Sequence, residues 1–379
     1  IAPVLTAQYN VRHSSEPGVL EGRWPESNSN CMRCWGAVRA PPCRSRGVLP
    51  MRDGVGLVAI GRNEGERLRR ALTSAVATVS RVVYVDSGST DGSVDFARSI
   101  GVQVVALDLA RPFTAGRARN AGMARLLEQH PATQFVQFID GDCVLDAAWI
   151  DFAADFLSQR SDLAIVGGLC NEMNPQASVF NRIGGLEWND FAPGEAASCG
   201  GNLMVRVRAF QEAGGFHPGM IAGEEPELCF RLRQAGWRIW RVDRPMVQHD
   251  LAMFRIGQWW RRCRRGGHAQ AEFAFLHRNT TERPKRRENR SAWMYGLAIP
   301  ALALVLAWPT RGWSLALFLI YPLQIARTAL RFRRRGWQSG DAWLYALQCI
   351  SAKFPQMVGQ MRFHLGRIFG KRSAIIEYK

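Results

Sequence analysis

Asp140-Gly141-Asp142 sets two carboxylates one residue apart, directly after the apolar run Gln134–Ile139. Carboxylates so spaced can hold a hard divalent cation, because one or two protein oxygens suffice when phosphate oxygens and water complete an octahedral shell. Two other polar segments follow apolar runs in the same way. Gly61-Arg62-Asn63-Glu64 comes after Val55–Ile60, and Asp86-Ser87-Gly88-Ser89-Thr90-Asp91 comes after Val82–Val85. If the three loops share an edge, their carboxylates repel bare phosphate, so a phosphorylated ligand there needs a bridging cation. The oxygen donors favour Mg2+ or Mn2+ over zinc. Each segment also has a purely structural explanation. Asp-Gly between apolar runs is a hairpin signal, Asp-x-Asp arises by chance about once in such a chain, and Ser89, Thr90 or Asp91 can cap a helix. The functional case is therefore the joint arrangement.

The elements that would position these loops alternate. Between the strands, Glu64–Val79 carries Leu68, Leu72 and Val76 at helical spacing, Gly92–Ile100 and Ala115–His130 read as helices, and Val102–Leu107 reads as a strand. Strands alternating with helices imply an α/β fold with a parallel sheet covered on both faces. In such sheets ligands sit beyond the carboxyl ends of the strands, where the three polar segments fall.

The segments VAIGRNEGERL, VVYVDSGSTDGS, AGRARNAG, QFIDGDCVLD, CGGNLMV and AGEEPELCFRLRQAGWRIW, running from about Met51 to His249, resemble the inverting family-two glycosyltransferases. The resemblance implies the GT-A fold, a Rossmann-like mixed sheet that binds a nucleotide-diphosphate sugar. It points to Ile60, Arg62, Glu64 and Asp86 around the nucleoside, and to Arg119, with Arg117 as its substitute, near the diphosphate or base; a salt-bridge role for Arg119 is the alternative. It gives Asp142 direct metal ligation, and Asp140 a contact to ribose, metal or metal-bound water. Gly201 and Asn202 then lie near the donor sugar and acceptor. Glu225 inherits the general base, with Glu224 as runner-up, although the family usually has Asp at the second position; structurally, both acids also suit the first turn of a helix. His249, after the strand-like Ile239–Val247, resembles a further metal ligand or a partly buried histidine. Gln258-Trp259-Trp260-Arg261-Arg262 resembles the Gln-x-x-Arg-Trp signature of processive synthases, with Arg262 where Trp belongs, so processivity is not expected; Arg261 or Arg265 could steady the leaving diphosphate.

The 379 residues carry a formal charge of +17. Residues 51–254 hold 20 basic and 24 acidic groups, whereas residues 255–379 hold 23 and 5. The catalytic segment is thus slightly acidic and the C-terminal third strongly basic, which calls for an acidic partner. Two uncharged runs, Trp293–Trp308 and Trp313–Ile325, are separated only by Pro309-Thr310-Arg311-Gly312. Each falls short of the roughly 30 Å hydrocarbon core, so they read as short spanning helices, a re-entrant hairpin or a buried soluble hairpin. Arg283, Lys285, Arg286, Arg287 and Arg290 precede the hairpin, and Arg331, Arg333, Arg334 and Arg335 follow it. By the positive-inside rule both flanks face the cytoplasm. Farther on, Trp343, Leu344, Leu347, Ile350, Phe354, Met357, Met361, Leu365 and Ile368 recur at helical steps, with Lys353, Arg362, Arg367, Lys371 and Arg372 beside them. They predict an amphipathic helix kinked at Pro355 that lies on anionic lipid or packs on the catalytic domain.

Residues 1–50 read as a disordered or non-native leader, with Met51 as the functional start and a weak Cys31, Cys34, Cys43 zinc motif. The nine cysteines show no disulfide spacing, which fits a reducing compartment. The expected organisation is a GT-A domain at 51–254, a basic connector at 255–291, an apolar hairpin at 292–330 and a basic amphipathic tail at 331–379. The expected function is inverting, metal-dependent transfer of a sugar from a nucleotide-diphosphate sugar to a lipid-linked or other glycan acceptor at the cytoplasmic face of a bacterial inner membrane. The anionic membrane surface is the partner of the basic tail. A non-catalytic nucleotide-sugar binder is one alternative. A nucleic-acid-binding protein is another, disfavoured because the basic clusters bracket uncharged apolar runs.

Overall fold

The computed structural model describes residues 54–370. Met51, the leader with its cysteine motif, and Lys371 and Arg372 lie outside the described residues. The chain opens with β1 (Val55–Gly61), α1 (Glu66–Val76), β2 (Val82–Asp86), α2 (Ser93–Ser99), β3 (Gln103–Ala106), α3 (Ala115–Gln129) and β4 (Phe135–Asp140). Next come β5 (Cys143–Leu145), α4 (Trp149–Ser158), β6 (Leu163–Glu172), α5 (Val179–Trp188), β7 (Gly194–Glu195), β8 (Leu203–Arg206) and α6 (Val207–Glu212). The sheet closes with α7 (Glu224–Gln234) and β9 (Arg238–His249).

Among the described residues the strands form one sheet in the order β3-β2-β1-β4-β8-β6-β9-β5, with β7 paired to β9. The β3, β2, β1 and β4 neighbours run parallel, and β8 then enters antiparallel between β4 and β6. The sheet is therefore mixed, as the resemblance implied, rather than the all-parallel sheet that strand–helix alternation suggested. Strand side chains alternate between its faces. On β1, Val55, Leu57 and Ala59 belong to the core cluster that holds Leu68 and Leu72 of α1 and Ile150 and Leu157 of α4. Val58 and Ile60 belong to the opposite cluster, with Ala118, Met123 and Leu126 of α3 and Leu228 and Leu232 of α7. Burial on both faces is why β1 reads as a continuous apolar run.

The remaining elements are α8 (Ile256–Leu276), α9 (Arg286–Trp293), a π-helical turn at Met294–Ala298, α10 (Ile299–Val305), a 3-10 segment at Trp313–Leu319, α11 (Ile320–Arg334), α12 (Ser339–Ser351) and α13 (Lys353–Ile368). The two apolar runs thus form a helical hairpin. Its arms are bonded by Tyr321, whose hydroxyl donates to the Tyr295 carbonyl, and by Ser314, whose hydroxyl donates to the Ala303 carbonyl at 2.7 Å. Among the described residues one helical stretch, Trp313–Arg334, is long and apolar enough to cross a membrane.

The expected single kinked helix is two helices. The break falls at Ala352, and Pro355 sits in the first turn of α13, where a missing N–H is tolerated. Lys353, expected on a polar face, is 3% exposed and packed inward, with its Nζ donating to Gln356 at 3.3 Å. What α13 packs on is α8, within the C-terminal helical region, rather than the sheet domain. Gly267 of α8 meets the Gln356 backbone and Gly359 of α13 meets the Arg264 carbonyl, so a Cβ at either would collide with main chain. Arg182 to Asp341 (2.6 Å) and Arg335 to Asp190 (2.8 Å) join this helical region to α5 and the residues just after it.

Candidate active site

Register brings the three polar loops together. Gly61 pairs with Asp86 and Ile60 with Asp140, so the ends of β1, β2 and β4 are immediate neighbours. Across the loops, the Asn63 N–H donates to Ser89 Oγ at 2.9 Å, Thr90 N–H to Asn63 Oδ1 at 2.8 Å and Gly65 N–H to Asp91 at 2.8 Å. The Ile60 carbonyl accepts from Gly141 N–H at 2.7 Å, which pins the carboxylate triplet to β1. The hairpin explanation of Asp-Gly fails, because β5 pairs with β9 and not with β4. The triplet carries the chain out of one strand position into another.

Asp86 is 4% exposed and accepts from Tyr84 Oη and from the Gly88 and Ser89 N–H groups, each at 2.9 Å. These bonds shape its loop and hold the carboxylate at the strand end. Burial pushes the Tyr84 phenol well above its usual value. Arg62 is exposed at the rim, while Glu64 meets Arg67 at 2.8 Å. Arg117 donates to the carbonyls of Asp108, Arg111 and Pro112, so it shapes the loop before α3.

Arg119 is the joint of the site. It is 2% exposed and donates to Asp140 at 2.8 Å, Glu224 at 2.7 Å and Glu225 at 3.2 Å. Of the two roles expected for it, this geometry is the salt-bridge network. The loop after β4 and the N-terminus of α7 are thereby fixed to each other although about 85 residues of chain separate them. Glu224 is sealed, whereas the Glu225 side chain keeps 16% of its surface. Burial first, and the neighbouring Glu224 charge second, push the Glu225 carboxyl up to about 7, with Arg119 opposing. Gly201 sits against Arg119, Glu225 and Asp140: a Cβ there would lie 2.5 Å from Arg119 Nη2, 2.8 Å from Glu225 Oε1 and 3.3 Å from Asp140 Oδ2. Asn202 accepts from the Asp140 N–H at 3.1 Å and donates to Cys143 Sγ at 3.4 Å, bracketing the triplet from β8.

Asp142 faces the other way. It is 4% exposed, with Oδ1 3.4 Å from His249 Nε2. Ligand atoms of Asp142, Cys143 and His249 lie within 4.8 Å of one another, which makes this the candidate metal centre among the described residues. Asp140 lies outside that group, turned to Arg119. The fit to a divalent cation is reasonable: a buried carboxylate and a buried imidazole, with Asp142 Oδ1 and His249 Nε2 3.4 Å apart, suit Mn2+-like ions. Cys143 was not anticipated; burial raises its thiol well above the usual value, so it stands as a neutral neighbour. Glu172, 4.0 Å from His249 Nδ1, was not anticipated either, and only strand register could have revealed it.

Arg261 is exposed on α8, and among the described residues no hydrogen bond joins it to the carboxylate cluster. Gln258 caps its own helix by accepting from Phe254 and Arg255 N–H groups, and Trp259 is 6% exposed with Nε1 donating to Gln348 at 2.5 Å. These two residues of the synthase-like segment therefore have structural work of their own.

Comparison with known proteins adds relatives to this geometry. The chain is 29% identical over 200 residues to the succinoglycan biosynthesis protein ExoA of Rhizobium meliloti (strain 1021), an alignment covering 49% of this chain and 58% of that protein. It is 28% identical over 219 residues to the pre-mycofactocin glycosyltransferase of Mycobacterium tuberculosis (strain ATCC 25618 / H37Rv), covering 53% and 43%. The chain thus spans about half the length of these curated relatives. Among solved structures it is similar to the mannosyltransferase PcManGT from Pyrobaculum calidifontis in complex with GDP-Man and Mn2+, at 18% identity and a TM-score of 0.49, covering 79% of this chain and 87% of that one. Residues 58–214, which run from within β1 through β8 and hold the carboxylate triplet, match the model of glycosyl transferase family 2.

Proposed function

We propose that the protein is a membrane-associated, metal-dependent, inverting glycosyltransferase that moves a sugar from a nucleotide-diphosphate donor to a hydroxyl of a lipid-linked or other membrane-proximal glycan. The observation that carries this reading is the Arg119 joint, which holds Glu225 and the Asp140–Asp142 loop around Gly201 at one sheet edge. Donor chemistry and acceptor chemistry would thereby share one small volume.

In this reading Arg62 and the Asp86 loop form the nucleoside rim, and Asp142 with His249 holds the cation. A bound Mg2+ or Mn2+ supplies positive charge against the diphosphate. Glu225 removes the proton from the acceptor hydroxyl as that oxygen attacks the anomeric carbon and the bond to the nucleoside diphosphate breaks. Attack from the face opposite the leaving group inverts the configuration. Gly201 leaves room for the sugar because its missing side chain exposes backbone next to Glu225. Arg261 would reach the leaving group only if α8 or the donor brings it close. The relatives named as biosynthesis and glycosyltransferase proteins support the substrate class.

The test is donor turnover by the full chain in detergent, across nucleotide-diphosphate sugars, with and without Mn2+. Asp142→Ala should lose metal-dependent turnover, and Glu225→Gln should lower transfer about 10²–10⁴-fold while retaining donor binding. Unchanged turnover in both variants would overturn this site assignment, and a wild type that binds a donor but turns none over would be the non-catalytic nucleotide-sugar binder.

A further inference from the structure

Glu172 is a buried carboxylate that the reaction above does not use. Its side chain is 1% exposed, at the last position of β6. Oε1 accepts from Asn174 N–H and Asn181 Nδ2, both at 3.1 Å, and Oε2 accepts from Leu251 N–H at 3.2 Å. Those donors come from the loop after β6, from α5 and from the segment after β9, so the carboxylate cannot turn away without breaking contacts to three elements. A carboxylate held by donors from three parts of the chain is fixed in orientation.

Its place in the sheet gives that fixed carboxylate a direction. His249 on β9 stands between two paired neighbours, Cys143 on β5 and Glu172 on β6. Laterally paired residues project on the same face of a sheet. The imidazole is therefore flanked: Nε2 lies 3.4 Å from Asp142 Oδ1, while Nδ1 lies 4.0 Å from Glu172 Oε2. The Trp188 ring packs edge-on at 4.3 Å between centroids, which limits how the imidazole can tilt. Nδ1 is buried and makes no hydrogen bond.

We propose that Glu172 is a positioning residue for the candidate metal centre: it selects the His249 tautomer with the proton on Nδ1, so that Nε2 presents its lone pair beside Asp142. The inference rests on the metal reading under Proposed function. The 4.0 Å separation is longer than a hydrogen bond, and closing it is the small rearrangement that ligation at Nε2 would draw in. A carboxylate behind a metal-bound histidine fixes ring orientation and raises ligand basicity, and losing it typically weakens metal affinity about 10–100-fold.

The probe is Mn2+ alone, with free ion counted by electron paramagnetic resonance while the full chain in detergent is titrated. Wild type should bind, and Asp142→Ala and His249→Gln should bind far more weakly. Glu172→Gln should weaken binding about 10–100-fold, and should add nothing further in the His249→Gln background, because the effect passes through the imidazole. Glu172→Gln also removes a loop anchor, so a second measurement uses unmodified protein. Nitrogen-15 spectra of histidine-labelled wild type, with His249→Gln as the assignment control, should show the His249 proton on Nδ1. A proton on Nε2, or wild-type affinity in a folded Glu172→Gln variant whose Asp142→Ala counterpart has lost binding, overturns the Glu172 assignment and leaves the metal reading standing. Unchanged affinity in Asp142→Ala overturns both.

Discussion

At the scale of single residues, Arg119 concentrates the stability and the chemistry of the site in one guanidinium. Three carboxylates converge on it, two of them within 2.8 Å, and the guanidinium itself is only 2% exposed. Removing one member of a buried ionic group costs about 3–5 kcal/mol, because the others are left charged and unpaired. Arg119→Met should therefore lower the urea midpoint steeply, whereas Arg117→Met, which frees only loop carbonyls, should shift it much less. Glu225 makes the second residue-scale prediction. A general base must be ionised to act, and burial holds the Glu225 carboxyl up to about 7. Transfer should therefore rise with pH, with unit slope in the logarithm, up to about 7 and flatten above it; a profile already flat from pH 5 would remove Glu225 as the base. Asp86, Asp140 and Asp142 were legible in the sequence because each stands at or just after the end of an apolar strand, whereas Glu224 and Glu225, which open α7, were singled out only through the resemblance. Glu172 was not, since its proximity to His249 depends on β6 and β9 being paired, and nothing local to either residue announces that pairing.

At the scale of elements, the legible part is the parallel half. The β1, β2 and β4 runs are apolar, bounded by polar loops and separated by periodic helices, so local pattern places them within a residue or two. The order of the other half is a long-range matter: β8 inserts antiparallel between β4 and β6, and β5 ends up at the far edge beside β9. Those pairings are what carry Cys143 to His249 and Asn202 to Asp140. The α8–α13 contact is another non-local feature. Gly267 and Gly359 let the two backbones touch, and neither glycine breaks its helix. Gly359→Val should force the helices apart and destabilise the chain by about 1–3 kcal/mol, read as a lower urea midpoint, since overpacking at a closed contact strains both partners. A matched Gly340→Val change, at a position with open space around it, should cost less.

At the scale of the whole molecule, charge and apolar surface are segregated in a way that defines how the protein would meet a bilayer. The segment carrying the sheet is slightly acidic, and nearly all the net charge belongs to residues 255–379. Within that basic region the hairpin presents its apolar side chains outward: Leu304 is 63% exposed, Val305 73%, Trp308 93% and Trp313 83%, and no residue of Trp313–Leu319 is buried. The tip is thus not the buried soluble hairpin that the two runs allowed. Its base is held differently, with Tyr295 buried and Gly296 closed against the Lys353 carbonyl. From Gly296 to Leu306 a helix rises about 15 Å, half of a hydrocarbon core, so the free part of the hairpin matches one leaflet in depth. With the hairpin inserted in this way, the arginines on both flanks would stand where anionic headgroups lie. Wild type should co-sediment with anionic vesicles and stay bound in high salt, because apolar insertion is not screened. Leu304→Asp with Val305→Asp removes at least about 3 kcal/mol of apolar burial, and should weaken retention on the same vesicles about 100-fold or more while leaving donor turnover in detergent intact. Release of wild type by salt alone would instead assign its attachment to the flanking arginines, and the hairpin would have to be explained by a protein partner.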